Sequence, residues 1–215
     1  MTLRLQLIVP AALLLAGCKP PPPPTGTAEW HLLQPPQAAF WRPAGIPDEG
    51  HVEVKEGLLS LGAGQPMTGA AFTGWTQLAL PTTSYAIEYE AMRVQGEDFF
   101  GTVTFPVGSH ESHASFVLGG WGGVVTGISS IDFSDANENQ THGEQVFENG
   151  RWYQVRIEVR PEDLRAWVEN RPVVNVSIKG RQVGLRPGFI DHCRPFGFAS
   201  YGTDARIRQV RIRSL

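Results

Sequence analysis

The sequence predicts an all-β protein built as two packed antiparallel sheets, a β-sandwich of the concanavalin A-like jelly-roll kind. Three observations carry that expectation. Short runs in which apolar and polar residues alternate recur along the chain, as strands with one wet face require. Twenty-four glycines and seventeen prolines fall largely between those runs, where turns belong. Nothing shows the sustained apolar period of about 3.6 residues that marks a long amphipathic helix. About twelve strands are expected, more than an immunoglobulin-like domain uses. No repeat of propeller or solenoid type is visible.

The chain begins with a different kind of segment. Arg4 precedes an apolar run from Leu5 to Leu15 that is broken only by Gln6 and Pro10. Such a run is shorter than the roughly 20 residues a membrane-spanning helix needs, and it suits the core of a signal peptide. It ends in Leu15-Ala16-Gly17-Cys18, which resembles the lipobox of bacterial lipoproteins. The resemblance implies cleavage before Cys18 and acylation of that residue, including by palmitate. Several acyl chains on one residue anchor a protein stably where a single chain binds marginally. The expected organisation is therefore a signal peptide over 1–17, a lipidated cysteine and proline-rich tether over 18–27, and a sandwich domain over 28–215. Pro20 to Pro24 favour an extended polyproline spacer of about 3.1 Å per residue. The expected location is the cell envelope, lipid-anchored to a membrane.

Within the domain the elements follow in order. Val52 and Val54 alternate with charges, Glu56-Gly57 turns the chain, and Leu58 to Leu61 returns, giving a hairpin. Tyr85 to Ala91 is a period-two strand with Glu88 and Glu90 on the second face. Phe99 to Val107 and Ser112 to Leu118 are more apolar, as central strands are. Tyr153, Val155, Ile157 and Val159 alternate with Gln154, Arg156, Glu158 and Arg160. After a turn at Arg160 to Asp163, Leu164, Ala166 and Val168 repeat the pattern. A second turn at Glu169 to Pro172 leads into Val173 to Ile178, which completes an antiparallel meander. In the last strand Ala205 and Ile207 change phase to Val210 and Ile212, which predicts a β-bulge at Arg208-Gln209. Arg206, Arg208, Arg211 and Arg213 then form a solvated strand face.

Charge and cysteine content narrow the chemistry. A formal net charge of −3 with both signs mixed offers no electrostatic footprint for nucleic acid. There are two cysteines. With Cys18 committed to lipid, Cys193 has no intrachain partner and is expected to be structural, since its neighbour His192 points to the opposite face of an extended strand.

Several segments occur together in order: Gly74-Trp75-Thr76, Glu97 to Phe100, Gly119-Gly-Trp-Gly-Gly123, Gly127 to Asp132, Asp135 to Asn139 and Glu148 to Tyr153. Together with the closing strand Ile207 to Leu215 they resemble the 3-keto-disaccharide hydrolase family, over nearly the whole of 28–215. The resemblance implies a concanavalin-like fold and cleavage of glycosides oxidised at C3. A ketone there acidifies the C2 hydrogen, so a base can remove it while the C1 substituent leaves, and water then adds. The reaction needs a base, a group that stabilises the enolate oxygen, and an acid. The Tyr-Glu-x-Gln-like segment that many members carry is absent, and Asp132 to Asn139 occupies its region.

The candidate residues follow from that chemistry and from the residue types. Asp132, Asp135 and Glu138 are the expected acid/base group, in an acidic loop that also contains Asn137. The same oxygens could hold a divalent metal such as calcium, or the loop could be plain turn structure; the spacing is not that of an EF-hand. No cofactor is certain. Trp121, flanked by glycines, is either a flat platform for a sugar or the residue around which a tight strand crossing forms. Asp98 and Asn137 are expected to contact substrate beside Trp121. His110-Glu111-x-His113 lacks the helical spacing of a zinc site and reads as a solvated turn. Trp152 and Trp167 either pack together under a second layer or form an exposed patch, and packing is the expectation. The expected partners are a sugar or 3-keto-glycoside and a membrane. The alternatives are a non-catalytic glycan-binding module and a structural envelope protein.

Overall fold

The computed structural model describes residues 28–215. The expected signal peptide, the lipidated Cys18 and the proline tether lie outside the described residues. Among those described, fifteen strands form. They are β1 (Glu29–His31), β2 (Trp41–Pro43), β3 (Val52–Lys55), β4 (Leu58–Leu61) and β5 (Met67–Phe72). Then follow β6 (Tyr85–Gln95), β7 (Thr102–Pro106), β8 (His113–Gly119), β9 (Val125–Ser129) and β10 (Gly143–Glu144). The last five are β11 (Trp152–Val159), β12 (Asp163–Val168), β13 (Arg171–Ser177), β14 (Gly197–Tyr201) and β15 (Asp204–Ser214). No helix of the described residues is long and apolar enough to cross a membrane.

The strands make two sheets. The first runs β13-β12-β11-β6-β15-β4-β3, with β1 also paired to β15; the second runs β10-β9-β8-β7-β14-β5-β2. All these pairs are antiparallel. The fold is the expected two-sheet jelly-roll sandwich.

Alternation explains which side chains fill the space between the sheets. Tyr85, Ile87, Tyr89 and Ala91 on β6 face Val155, Ile157 and Val159 side by side with Ile207 and Ile212, all buried. The second sheet contributes Phe72, Val103, Phe105, Phe116 and Phe198. Two phenols tie the layers together: Tyr85 Oη donates to the carbonyl of Pro106 at 2.6 Å, and Tyr89 Oη to that of Gly101 at 2.8 Å. Burial pushes both phenols well above their ordinary pKa, so both remain donors.

Local chemistry sets the turns and irregularities. Glu56 and Gly57, with φ of 51° and 79°, close the β3–β4 hairpin as the mirror-image turn that matches strand twist. The meander of β11, β12 and β13 is in place. The bulge expected in the last strand is present as a register shift between Arg208 and Arg211, with Gln209 left-handed at φ 54°. Trp152 and Trp167 do not pack on each other beneath a second layer. Both are half-buried on the outer face of the first sheet, Trp152 under the Arg208 guanidinium, which lies 4.0 Å from its ring, and Trp167 opposite Arg156. The Arg208 guanidinium covers the Trp152 ring without a second layer.

Candidate functional site

The outer face of the second sheet is where a site can form. Alternation along β7 and β8 sends Val103, Phe105, Phe116 and Leu118 inward and leaves Thr102, Thr104, Ser115 and Val117 on the other side. Two segments lie across that face. Residues 186–193 cover it near β5 and β14, where Cys193 packs with Ile46, Met67 and Ala199. Residues 132–142 cover it beside β8 and β9, with Ala136 against Val117 and Val125. Between the two segments a cleft of about 480 Å³ remains open.

Its floor carries the hydroxyls of Thr102, Ser115 and Ser129, and its rim is aromatic. Trp121, Phe189 and Tyr201 are 37%, 40% and 42% exposed, unusual for large aromatic side chains in a domain whose other rings are mostly buried. Phe99 supports Tyr201, ring to ring at 5.7 Å. Asp98 and Arg186 are the charged residues of the lining.

The Trp121 loop has a definite cause. Gly119, Trp121, Gly122 and Gly123 all have positive φ, a run that glycine tolerates and tryptophan does not favour. At Gly123 a side chain would also meet the carbonyl oxygen of Glu97 at 2.3 Å, so the chain can pass there only as glycine. Asp98 fastens this loop. Its carboxylate accepts from the Phe99 N–H at 2.7 Å through one oxygen and from the Gly122 N–H at 3.0 Å through the other. Trp121 is thereby held as a platform on the cleft rim.

The opposite wall is built by a short pairing that the chain makes with itself. Ile131 bridges Val183, and Asp132 N–H donates to the carbonyl of Gln182 at 2.7 Å. That places Arg186 beside Asp135, at 3.1 Å, with its guanidinium 5.5 Å from the Trp121 ring. Ser129 Oγ donates to the other oxygen of Asp135 at 3.0 Å. Ser129, Asp135, Arg186 and Trp121 thus form a connected series across the cleft.

The residues singled out from the sequence occupy different places. Asp98 and Trp121 line the cleft. Asp135 stands behind Arg186. Asp132 is turned to Arg181 Nε at 2.8 Å and to the Gln182 N–H at 2.9 Å. These donors, the backbone N–H first, hold its carboxyl below the usual carboxylate range. Glu138 is exposed, and its backbone N–H donates to the Asp135 carbonyl. Asn137 is half-buried in the same turn. The neighbouring Asn139 is buried and organises the loop: Nδ2 donates to the carbonyls of Ile128 and Ser134, and Oδ1 accepts from Thr141 N–H and Oγ1. Among the described residues no cluster of three or more His, Cys, Asp or Glu side chains could hold a metal ion.

Two other positions differ from surface chemistry. The Cys193 thiol is buried, faces the carbonyl of Phe198 at 3.6 Å, and is pushed up to about 12 by that burial, so it stays protonated. His113 is not part of a solvated turn. It is 5% exposed at the start of β8, and its Nε2 has no hydrogen-bond partner among the described residues. Burial, and then the nearby Arg194, lower its pKa. A histidine whose folded pKa lies below its unfolded value of about 6.5 binds fewer protons folded than unfolded. Its neutral form therefore favours the fold above that value, and stability falls as pH drops through about 6.5 towards the lowered pKa. Urea unfolding at pH 7.5 and at pH 5 should show this loss, and His113→Gln should flatten it; an equal loss in the variant would show that other groups cause it.

No protein family matches the chain by sequence, and no curated protein does. Solved structures do match it in fold. A carbohydrate binding module, CBM66 from Bacillus subtilis, superposes with a TM-score of 0.51 at 10% identity, over 80% of this chain and 94% of that one. Domain 4 of AbnA, a GH43 extracellular arabinanase from Geobacillus stearothermophilus, was solved with arabinotriose. It gives a TM-score of 0.52 at 14% identity, over 87% and 91% of the two chains. The Crh5 transglycosylase in complex with NAG gives 0.54 at 7%, over 87% and 83%. The shared property is the sandwich. At these identities the likeness fixes architecture and leaves ligand and chemistry to the site itself.

Proposed function

We propose that this protein is a carbohydrate-binding domain of the cell envelope, anchored by lipid at Cys18, and that the cleft beneath Trp121 holds the sugar. The observation that carries the reading is the cleft's composition: three partly exposed aromatic rings around a floor of hydroxyls, with one carboxylate and one guanidinium at the mouth. Sugars present C–H faces that pack on aromatic rings and hydroxyls that bond to charged and hydroxyl side chains. Asp98 has lone pairs left after its two backbone bonds, and Arg186 has donors left after Asp135. Trp121→Ala should weaken binding of a neutral oligosaccharide roughly tenfold or more, about 1.4 kcal/mol, as measured by titration calorimetry. Unchanged affinity would remove the cleft from the reading. Acyl labelling that is lost on Cys18→Ser tests the anchor separately.

The resemblance to 3-keto-disaccharide hydrolases supports a second, catalytic reading, and the pairing of Arg186 with Asp135, in a cleft that Asp98 also lines, favours it. A base would take the C2 proton of a 3-keto-glycoside and the electron pair would move to the C3 oxygen beside a cation. As the C3 carbonyl re-forms, that pair would make the C1–C2 double bond, and the C1–oxygen bond would break with protonation of the departing oxygen. Water would then add across C1 and C2. Incubation with a 3-keto disaccharide and with its unoxidised parent decides the matter. Release of sugar from the keto compound alone supports catalysis. Comparing Asp98→Asn, Asp135→Asn, Asp132→Asn and Glu138→Gln then locates the base. No release from either compound leaves the binding reading in place.

A further inference from the structure

We infer that the outer face of the first sheet carries a second carbohydrate site, centred on Trp167 and independent of the Trp121 cleft. The inference rests on the reading that this domain binds sugar, and it adds a second point of attachment on the opposite side of the sandwich.

The starting observation is a defect in the sheet. Between Arg208 and Arg211 the β15–β6 pairing slips, and Gln209 sits in the left-handed region at φ 54° inside a strand. A second slip occurs in β12–β13 between Ala166 and Trp167. A bulge leaves a residue unpaired and re-aims its neighbours, and a non-glycine residue held left-handed is a strained feature that gathers at binding sites. Here the defect makes room. A groove of about 480 Å³ opens on the outer face above Tyr89 and Val155, with Trp167 and the side chains of Gln154, Asn170 and Gln209 around it.

The lining has the chemistry of a neutral polyhydroxyl ligand. The charges that border the groove are Glu88, Glu90, Arg156 and Arg211, which sum to zero. They are already paired: Glu88 takes Arg156 on one oxygen and Arg211 on the other, and Glu90 takes Arg208. An anionic or cationic ligand would have to break those pairs. The three amides are not hydrogen-bonded through their side chains to any described residue. Each offers a donor and an acceptor side by side, as a sugar hydroxyl does. Arg211 Nε adds a buried donor without a partner. Trp167 supplies the ring. A neutral oligosaccharide fits this set, and two sites on opposite faces would let one domain bridge two glycan strands or two stretches of one.

The test uses the full-length protein in detergent, titrated with neutral gluco-, xylo-, arabino- and fructo-oligosaccharides. The wild type should bind two equivalents of a recognised sugar, Trp121→Ala should keep one, and Trp121→Ala with Trp167→Ala should bind none. Gln209→Gly is the second variant. Glycine accepts the same φ without strain, so the fold is retained while the amide is lost, and second-site affinity should fall at least threefold. One equivalent in the wild type, with Trp167→Ala and Gln209→Gly unchanged, would overturn the second site and leave the first. No binding of any sugar by the wild type would overturn both readings together.

Discussion

Replacing Phe198 by alanine should lower the stability of the folded domain by about 3–5 kcal/mol, the range for losing a fully buried phenyl ring. Phe198 lies on β14, an interior strand of the second sheet between β7 and β5, and is completely buried. Its ring meets Tyr89 of the opposite sheet edge to face at 4.9 Å, stacks near Trp41 at 5.8 Å, and meets Phe196 at 5.6 Å. Trp41 and Phe196 in turn contact Phe72 and Trp75. No single neighbour can move into the space without breaking its own ring contacts, so the cavity should persist and the cost should fall in the upper part of that range. A typical domain has about 5–15 kcal/mol to lose. For a domain of this size a loss of that order corresponds to a fall in Tm of roughly 6–20 °C. Denaturant unfolding of the variant measures it, and a loss near 1 kcal/mol would mean that the aromatic cluster collapses or is already loosely packed.

The same strand shows where the sequence stops being readable. The β3–β4 hairpin and the meander of β11 to β13 alternate because one face of the first sheet is wet, and the bulge at Gln209 is visible as a break in that alternation. Met67–Phe72 and Gly197–Tyr201 do not alternate. Segment 186–193 covers the outer face of these two strands, so β5 is buried throughout and β14 is buried except at Tyr201. Apolar and small residues then serve both faces and the period of two disappears. The cleft was legible only in part for a related reason. Asp98 precedes a strand and Trp121 sits among glycines, and both patterns are local. Arg186 lies in an ordinary Leu-Arg-Pro-Gly stretch and reaches the cleft only because residues 182–184 pair with 130–132. Phe189 and Tyr201 carry no signal beyond being aromatic. Nor does a run of acids reveal which member turns inward. Asp132, Asp135 and Glu138 lie close in sequence, yet Asp132 faces Arg181 while Asp135 faces Ser129 and Arg186.

What holds that loop in place is Asn139, and Asn139→Ala should be the most damaging single change within residues 132–142. Its amide makes four hydrogen bonds of 2.6 to 2.9 Å, two donated and two accepted; one reaches the Ile128 carbonyl on β9 and the other three tie Ser134 and Thr141 together within the loop. Alanine would leave the carbonyl of Ile128 and the N–H of Thr141 without these partners in a buried place. Each such orphan costs about 1–3 kcal/mol, and entry of water would recover part of that, so a net loss of about 2–4 kcal/mol is expected. The loop should loosen before the sandwich does, because its remaining contacts with the sheet are few: the bond from the Ile128 N–H to Thr141 Oγ1, the bond from Ser129 Oγ to Asp135, and the small cluster around Ala136. Hydrogen exchange at the amides of Glu138, Asn139 and His142, whose bonds lie within the loop, should therefore quicken more than exchange in β8. Asp135 would lose its fixed position, and with it Arg186 would lose the anchor that holds it against Trp121, so ligand affinity should fall even though Asn139 is not in the lining. Asn137→Ala and Glu138→Gln are the controls, since neither side chain makes a comparable set of bonds, and each should change stability by no more than about 0.5 kcal/mol. If Asn139→Ala behaved like them, the buried amide would not be what organises this wall of the cleft.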